Sequence, residues 1–388
     1  MRPNEKSSLG APTLCPIFVL MTTSRIQALY HVRSDAKSIA ARAEGIAVEQ
    51  SVEMPVAPID DPFVLDEILG KVEHIADLGG GLFEVCIGLS SITTGYAPGQ
   101  LLNMLFGNTS MQDDVALVDA TFPAEFAKAF RGPNHGLEGL RARVGATGRA
   151  MTCSALKPQG SPPSVLAKLA GQIADGGIDY LKDDHGLADQ YYSPFAERVP
   201  ACAEAVAASA ARTGIKTRYL PSLCGNLDSL RAQVALARSC GLDTVLIAPL
   251  IAGLDQFHTL VAENPDIAFM THPTMSGAAH ISPSFILGKL FRLLGSDATV
   301  FANYGGRFGY TPQECKRLAN FALQEWPGIY PCAPVPAGGM VLERIGEMLE
   351  FFGTDVMLLV GGSLLSTRDR ITQETARYVE AVRRHGSY

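Results

Sequence analysis

Eight short apolar runs, spaced by Ala- and Leu-rich stretches, fill the chain beyond residue 131. They fall at residues 151–156, 178–181, 217–223, 244–249, 267–271, 299–302, 333–336 and 356–360. Helix-like segments lie between them at 164–175, 195–213, 227–239, 284–294, 311–324 and 341–352. Strand-length runs alternating with helical stretches give parallel strands with crossover helices. Eight such units over about 230 residues fit a (β/α)8 TIM barrel. A doubly wound open sheet is the alternative. The barrel is preferred because the polar and Gly-rich clusters all follow strands, which collects them at one face.

The preceding part is organised differently. Residues 26–32 alternate like a strand, residues 34–49 read as a helix with Asp35 near its start, and residues 81–89 form a second strand candidate. Residues 101–107 read as a third strand. This mixture predicts an α+β domain over 25–145, ferredoxin-like in type, ahead of a barrel over 146–388. Residues 1–24 read as a tail. Its apolar stretch 15–21 is short and lacks a small-residue cleavage site, so no signal peptide is expected, and Met21 is an alternative start.

Composition removes several classes. With 388 residues, 47% hydrophobic and 18% charged, the chain is core-rich and ordered. Its net charge of −7 gives no basic field for nucleic acid, so an anionic substrate must be held by local donors. No apolar run is long enough to cross a membrane. The eight cysteines have no C-x-x-C pairing and read as thiols of a reducing, cytoplasmic setting.

Polar residues at the C-terminal ends of barrel strands are the catalytic candidates. The first strand ends in Lys157-Pro158-Gln159, where desolvation would tune the lysine for proton transfer; a plain surface lysine is the other reading. The second ends in Lys182-Asp183-Asp184-His185. Alternation puts Lys182 and Asp184 on one side and Asp183 on the other. These groups suit magnesium with a histidine ligand or acid/base, or else a lysine merely neutralised by two aspartates. The fifth strand ends in His272-Pro273, a proton-transfer or structural histidine. The sixth leads into Asn303-Tyr304-Gly305-Gly306-Arg307-Phe308-Gly309, either a mobile loop able to lay a cation on an anion or an ordinary glycine-rich turn. The last two strands end in Gly338-Gly339 and Gly361-Gly362, the pairing that cradles phosphate in this fold. The remaining histidines, His31, His74, His135, His258, His280 and His385, read as structural or surface residues.

These motifs, in this order, resemble the RuBisCO large-chain family, and more closely its RuBisCO-like, non-carboxylating (form IV) members. Phe106-Gly107-Asn108, Arg131-Gly132-Pro133-Asn134-His135-Gly136, Lys157-Pro158, the segment from Gly177 to His185, and the glycine pairs carry the resemblance. It implies that Lys182 is the lysine carbamylated in RuBisCO, with Asp184 the second magnesium ligand and His185 in place of the third, a glutamate. It implies a proton-handling Lys157, a His272 near the reacting hydroxyls, and Glu49 and Asn108 donated to a neighbouring protomer's site in a homodimer or an assembly of dimers. Phosphate would be held by Gly338, Gly339, Gly361, Gly362 and Arg307.

The departures from RuBisCO point away from carboxylation. Pro273 and Ala337 stand where the family places an arginine and a serine of a second phosphate site, so a monophosphate is expected. Arg307 replaces the lysine that steers carbon dioxide, and Gln159 replaces a second lysine. The resemblance therefore implies magnesium-assisted enolate chemistry on a phosphorylated keto-sugar or keto-acid. Decarboxylation of a 3-oxo sugar-acid phosphate such as 3-oxo-isoapionate 4-phosphate is the leading expectation. Isomerisation of 5-methylthioribulose 1-phosphate, or enolisation in sulfur salvage, is the alternative. A catalytically inactive barrel that binds a phosphometabolite is the rival of another class.

Overall fold

A computed structural model of the chain describes residues 24–385. The expected tail, with the 15–21 stretch and Met21, lies outside them apart from its last residue.

The N-terminal unit has the order β1 (Arg25–Arg33), helix Ile39–Glu49, β2 (Lys71–Gly79), β3 (Leu82–Ser90), helix Pro98–Phe106, β4 (Val115–Thr121). The strands form one sheet in the order β2-β3-β1-β4, antiparallel throughout. Two βαβ halves with this strand order give the ferredoxin-like arrangement. In β1 the alternation is strict: Ile26, Ala28, Tyr30 and Val32 are buried, against Ile46, Ala47 and Leu105 of one core.

The third strand expected at 101–107 is instead the helix Pro98–Phe106. Pro98 sits in its first turn, and Leu101, Leu105 and Phe106 are buried at helical spacing. So short a run, apolar apart from Asn103, reads alike in both periods; the proline decides it. The fourth strand, Val115–Thr121, and the exposed edge strand β2 escaped sequence reading.

The eight barrel strands are β5 (Met151–Leu156), β6 (Tyr180–Asp183), β7 (Arg218–Leu220), β8 (Thr244–Ile247), β9 (Ala268–Thr271), β10 (Ala298–Ala302), β11 (Ala333–Ala337) and β12 (Met357–Val360). They form one parallel sheet in the order β7-β6-β5-β12-β11-β10-β9-β8. A parallel bridge from Ser222 to Leu246 joins β7 to β8 and closes the ring. Each of the eight expected runs contains or overlaps its strand.

Alternate residues point inward and fill the barrel: Met151 and Cys153, Tyr180, Leu220, Leu246, Ala268 and Met270, Ala298 and Val300, Ala333 and Val335, Met357 and Leu359. The helix Gly136–Val144 plugs the N-terminal end with Leu137 and Leu140. It is anchored by Asp297, whose carboxylate accepts from the backbone N–H groups of His135 and Gly136, both at 2.7 Å. The Arg131–Gly136 segment thus serves the fold rather than the chemistry.

Candidate functional site

The inward register that packs the barrel also builds its mouth. Two residues beyond Cys153, Tyr180 and Met270 come Ala155, Lys182 and His272, and beyond those Lys157 and Asp184. Beyond Val300, Val335 and Leu359 come Ala302, Ala337 and Gly361. All of these line one cavity of about 840 Å³. Small residues at the top of β5, β10 and β11 leave the room that it occupies. His185, Arg307, Gly338, Gly339 and Gly362 join them on the rim. Ten of the twelve expected site residues therefore meet in one place.

Glu49 and Asn108 do not. They sit in the N-terminal unit, where the Asn108 amide donates to Glu49 at 3.0 Å and to Glu53 at 2.7 Å. Asn108 is exposed there.

At the centre, Lys157 Nζ lies 2.6 Å from Asp184 Oδ1, and His185 Nδ1 lies 3.3 Å from the same oxygen. Burial disfavours charge on Asp184, but hydrogen bonds from His185 and Lys157 and the field of Lys182 outweigh it. They hold the carboxyl well below the usual carboxylate range. Lys182 is 3% exposed, and its Nζ donates to the Asp183 carbonyl at 2.7 Å. Burial pulls this ammonium below the ordinary lysine range; Cys153 and Asp184 oppose the shift without cancelling it. The desolvated lysine of the site is Lys182, whereas Lys157, the one expected to be desolvated, is 36% exposed.

His272 stacks on His185 with ring centroids 4.0 Å apart and planes 11° from parallel. Its Nδ1 is 2.6 Å from the Thr274 hydroxyl. Burial, reinforced by the charges of Lys182 and His185, pushes its pKa down to about 2, so the ring is neutral at physiological pH. A neutral imidazole tied at one nitrogen offers the other to a ligand, as donor or acceptor.

Asp183 points away from the mouth, as alternation requires. Its carboxylate takes hydrogen bonds from the Tyr219 hydroxyl at 2.8 Å, the Ser222 backbone at 3.1 Å and Arg198 Nε at 3.2 Å. Both members of the Asp183–Arg198 pair are fully buried. Both aspartates favour the charged form of Lys182, Asp184 more than Asp183, whose strongest charged partner is Arg198. This pair was invisible in sequence because Arg198 belongs to the following helix, Phe195–Thr213, where its register resembles that of any apolar neighbour.

On the opposite rim the Gly338-Gly339 loop packs against Gly305 and Gly306 of the loop after β10. Gly338 and Gly339 have φ of +100° and +64°, and a Cβ on Gly339 would lie 2.7 Å from the Gly305 carbonyl oxygen. Only glycine fits there. Gly361 and Gly362 have ordinary φ, and a Cβ on either would meet nothing within 4 Å. A side chain there would only fill cavity space, which leaves their bare backbone as the reason for glycine. Arg307 is exposed on the facing loop, 5.0 Å from the Phe308 ring, with no carboxylate in ion-pairing reach among the described residues. The mouth so combines a cluster of titratable side chains from β5, β6 and β9 with glycine-rich backbone and Arg307 in the loops after β10, β11 and β12.

Comparison with known proteins agrees with this geometry. The family model of the ribulose bisphosphate carboxylase large chain, catalytic domain, matches residues 136–372. The chain is 56% identical to the 5-methylthioribulose-1-phosphate isomerase of Rhodospirillum rubrum, covering 93% of this chain and 96% of that protein. It is 50% identical to ribulose bisphosphate carboxylase-like protein 1 of Rhodopseudomonas palustris, covering 94% and 99%. A crystal structure of a Rubisco-like protein from Rhodopseudomonas palustris superposes with a TM-score of 0.89 at 47% identity, over 95% of this chain and all of that one. The chain belongs to the RuBisCO large-chain family, among its RuBisCO-like, non-carboxylating members.

Proposed function

We propose that this protein isomerises a phosphorylated ketose through an enediolate, with 5-methylthioribulose 1-phosphate as its substrate. The observation that carries the reading is the 56% identity, along nearly the whole of both chains, to the Rhodospirillum rubrum protein of that name. More distant relatives named as 2,3-diketo-5-methylthiopentyl-1-phosphate enolases support the same substrate type. Decarboxylation of a 3-oxo sugar-acid phosphate, the leading expectation from sequence, passes through a similar enolate. It takes second place because the relative named for a reaction at 56% identity is an isomerase, and those at 28–29% are enolases.

Isomerisation breaks a C–H bond beside the carbonyl and forms one on the neighbouring carbon. It therefore needs a group that takes a proton and returns it. We assign that task to Lys157: its free amine takes the proton from carbon and the resulting ammonium, positioned by Asp184 2.6 Å away, returns it. Neutral His272, with His185 stacked on it, is placed to hold protons on the substrate hydroxyls. The phosphate is anchored by the backbone N–H groups of Gly338, Gly339, Gly361 and Gly362 and by Arg307.

The donor set fits magnesium in one state. With a carbamate on Lys182 Nζ, its oxygens and those of Asp184 stand beside the His185 imidazole; with a bare amine only one carboxylate remains, too few oxygens for this ion. Burial favours the uncharged amine that carbamylation requires. Magnesium bound there would act as a Lewis acid on the substrate carbonyl.

Glu49 and Asn108 fit a role in the cavity of a second protomer, in a homodimer or an assembly of dimers. The seven free thiols of the described residues suit a reducing compartment such as the cytoplasm.

The reading is tested by offering the purified protein three substrates in parallel. These are 5-methylthioribulose 1-phosphate, a 3-oxo sugar-acid phosphate, and ribulose bisphosphate with carbon dioxide. An isomer of the first, identified by NMR, is expected. Carbon dioxide released from the second, with the first unchanged, replaces the isomerase by a decarboxylase. Phosphate binding with no turnover of any of them makes the chain a binding barrel.

A further inference from the structure

One wall of the cavity takes no part in the chemistry described above. It is made by Pro273 and Met275 of the loop after β9, by Phe308 and Tyr310 of the loop after β10, and by Ala337 at the end of β11. Met275 and Phe308 are 54% and 56% exposed. Neither therefore contributes much to the core. Met275 also has φ +70°, a left-handed conformation costly for a residue with a side chain. The loop is nonetheless ordered by its own hydrogen bonds: Ser276 N–H to the Pro273 carbonyl at 2.9 Å and Ala278 N–H to the Met275 carbonyl at 3.0 Å. A strained, exposed apolar side chain held in place at a cavity lip is not explained by stability.

The wall lies in the same cavity as the glycine pairs: Pro273 and Met275 follow β9, two strands from the β11 pair, while Phe308 adjoins Arg307 and Ala337 adjoins Gly338. Its residues carry no charge. The one cation of the β10 loop is Arg307, already assigned to the phosphate.

We propose that Met275 and Phe308, with Pro273 beside Met275, form a subsite for an uncharged apolar tail of the phosphorylated substrate. In the reading above, on which this proposal rests, that tail is the methylthio group. Pro273 and Ala337 offer no donor that a second phosphate would need. Met275 and Phe308 offer a polarisable sulfur and a ring face, both of which pack well against a thioether.

The experiment pairs turnover with binding. The kcat/KM of the full-length protein is compared for 5-methylthioribulose 1-phosphate and for ribulose 1-phosphate, which has a hydroxyl in place of the tail. The Kd of n-pentyl phosphate is compared with that of inorganic phosphate by calorimetry. Both comparisons are repeated in Met275→Ser and Phe308→Ser. The unaltered protein is expected to prefer the tailed ligand in each pair, and each variant to lose about tenfold of that preference. If n-pentyl phosphate binds no tighter than phosphate, or if the variants keep the preference, the subsite is refuted. If the variants instead shift the sedimentation of the protein towards monomer, the wall is a contact with a second copy and the proposal fails. If 5-methylthioribulose 1-phosphate is not turned over but the pentyl preference holds and depends on Met275 and Phe308, the subsite stands and the isomerase reading falls.

Discussion

At the scale of single residues, the structure reverses the burial that sequence expected of the two lysines. Lys182 is sealed in the barrel, whereas Lys157 is reachable and held by Asp184 at 2.6 Å. Lys157→Ala is expected to lower kcat about a thousandfold, the scale of a lost general acid/base. Binding of inorganic phosphate, measured by calorimetry, is expected to survive because the anion cradle lies across the mouth. Arg198→Met is expected to cost about 3 kcal/mol in urea unfolding, since it leaves Asp183 charged and unpaired in the core. A loss under about 1 kcal/mol would show that Tyr219 and Ser222 suffice. Lys182, Asp184 and His272 were legible as site residues because strand alternation fixes which side chains reach the mouth. Thr274, which fixes the His272 ring, and the Asp183–Arg198 pair were not, because no local pattern joins residues that meet only after folding.

At the scale of elements, the two glycine pairs do different work. Gly339 is demanded by its backbone and by the Gly305 carbonyl; Gly361 is demanded by neither. Gly339→Ala is therefore expected to lower stability by about 1–2 kcal/mol. Gly361→Ala is expected to leave the melting temperature nearly unchanged while raising KM for the phosphorylated substrate. Equal melting losses in both would mean that the pairs are structural only. The barrel strands were legible because fully buried runs bounded by helices leave few other readings. The N-terminal unit was less so. Its edge strand β2 is largely exposed and polar, and the helix Pro98–Phe106 shares its short apolar run with a strand.

At the scale of the whole molecule, the cavity of one chain contains Lys157 but neither Glu49 nor Asn108. If the second protomer completes the site, Lys157→Ala and Asn108→Ala are each inactive alone and complement each other. Mixed and refolded together, half of the dimers carry one intact site of two, so about a quarter of the normal rate is expected to return. No recovery on mixing would place Asn108 outside the chemistry. The family resemblance pointed to this sharing, and the fold is compatible with it, since the ferredoxin-like unit presents Asn108 on an exposed turn.

The central claim is that the barrel mouth moves a proton beside a substrate carbonyl. The most direct measurement incubates the protein with 5-methylthioribulose 1-phosphate in deuterium oxide and follows each carbon by NMR. Solvent deuterium is expected on the carbons flanking the carbonyl, in recovered substrate and in isomer, and is expected to disappear in Lys157→Ala. Substrate recovered unlabelled and unconverted by a protein that still binds it would contradict the account.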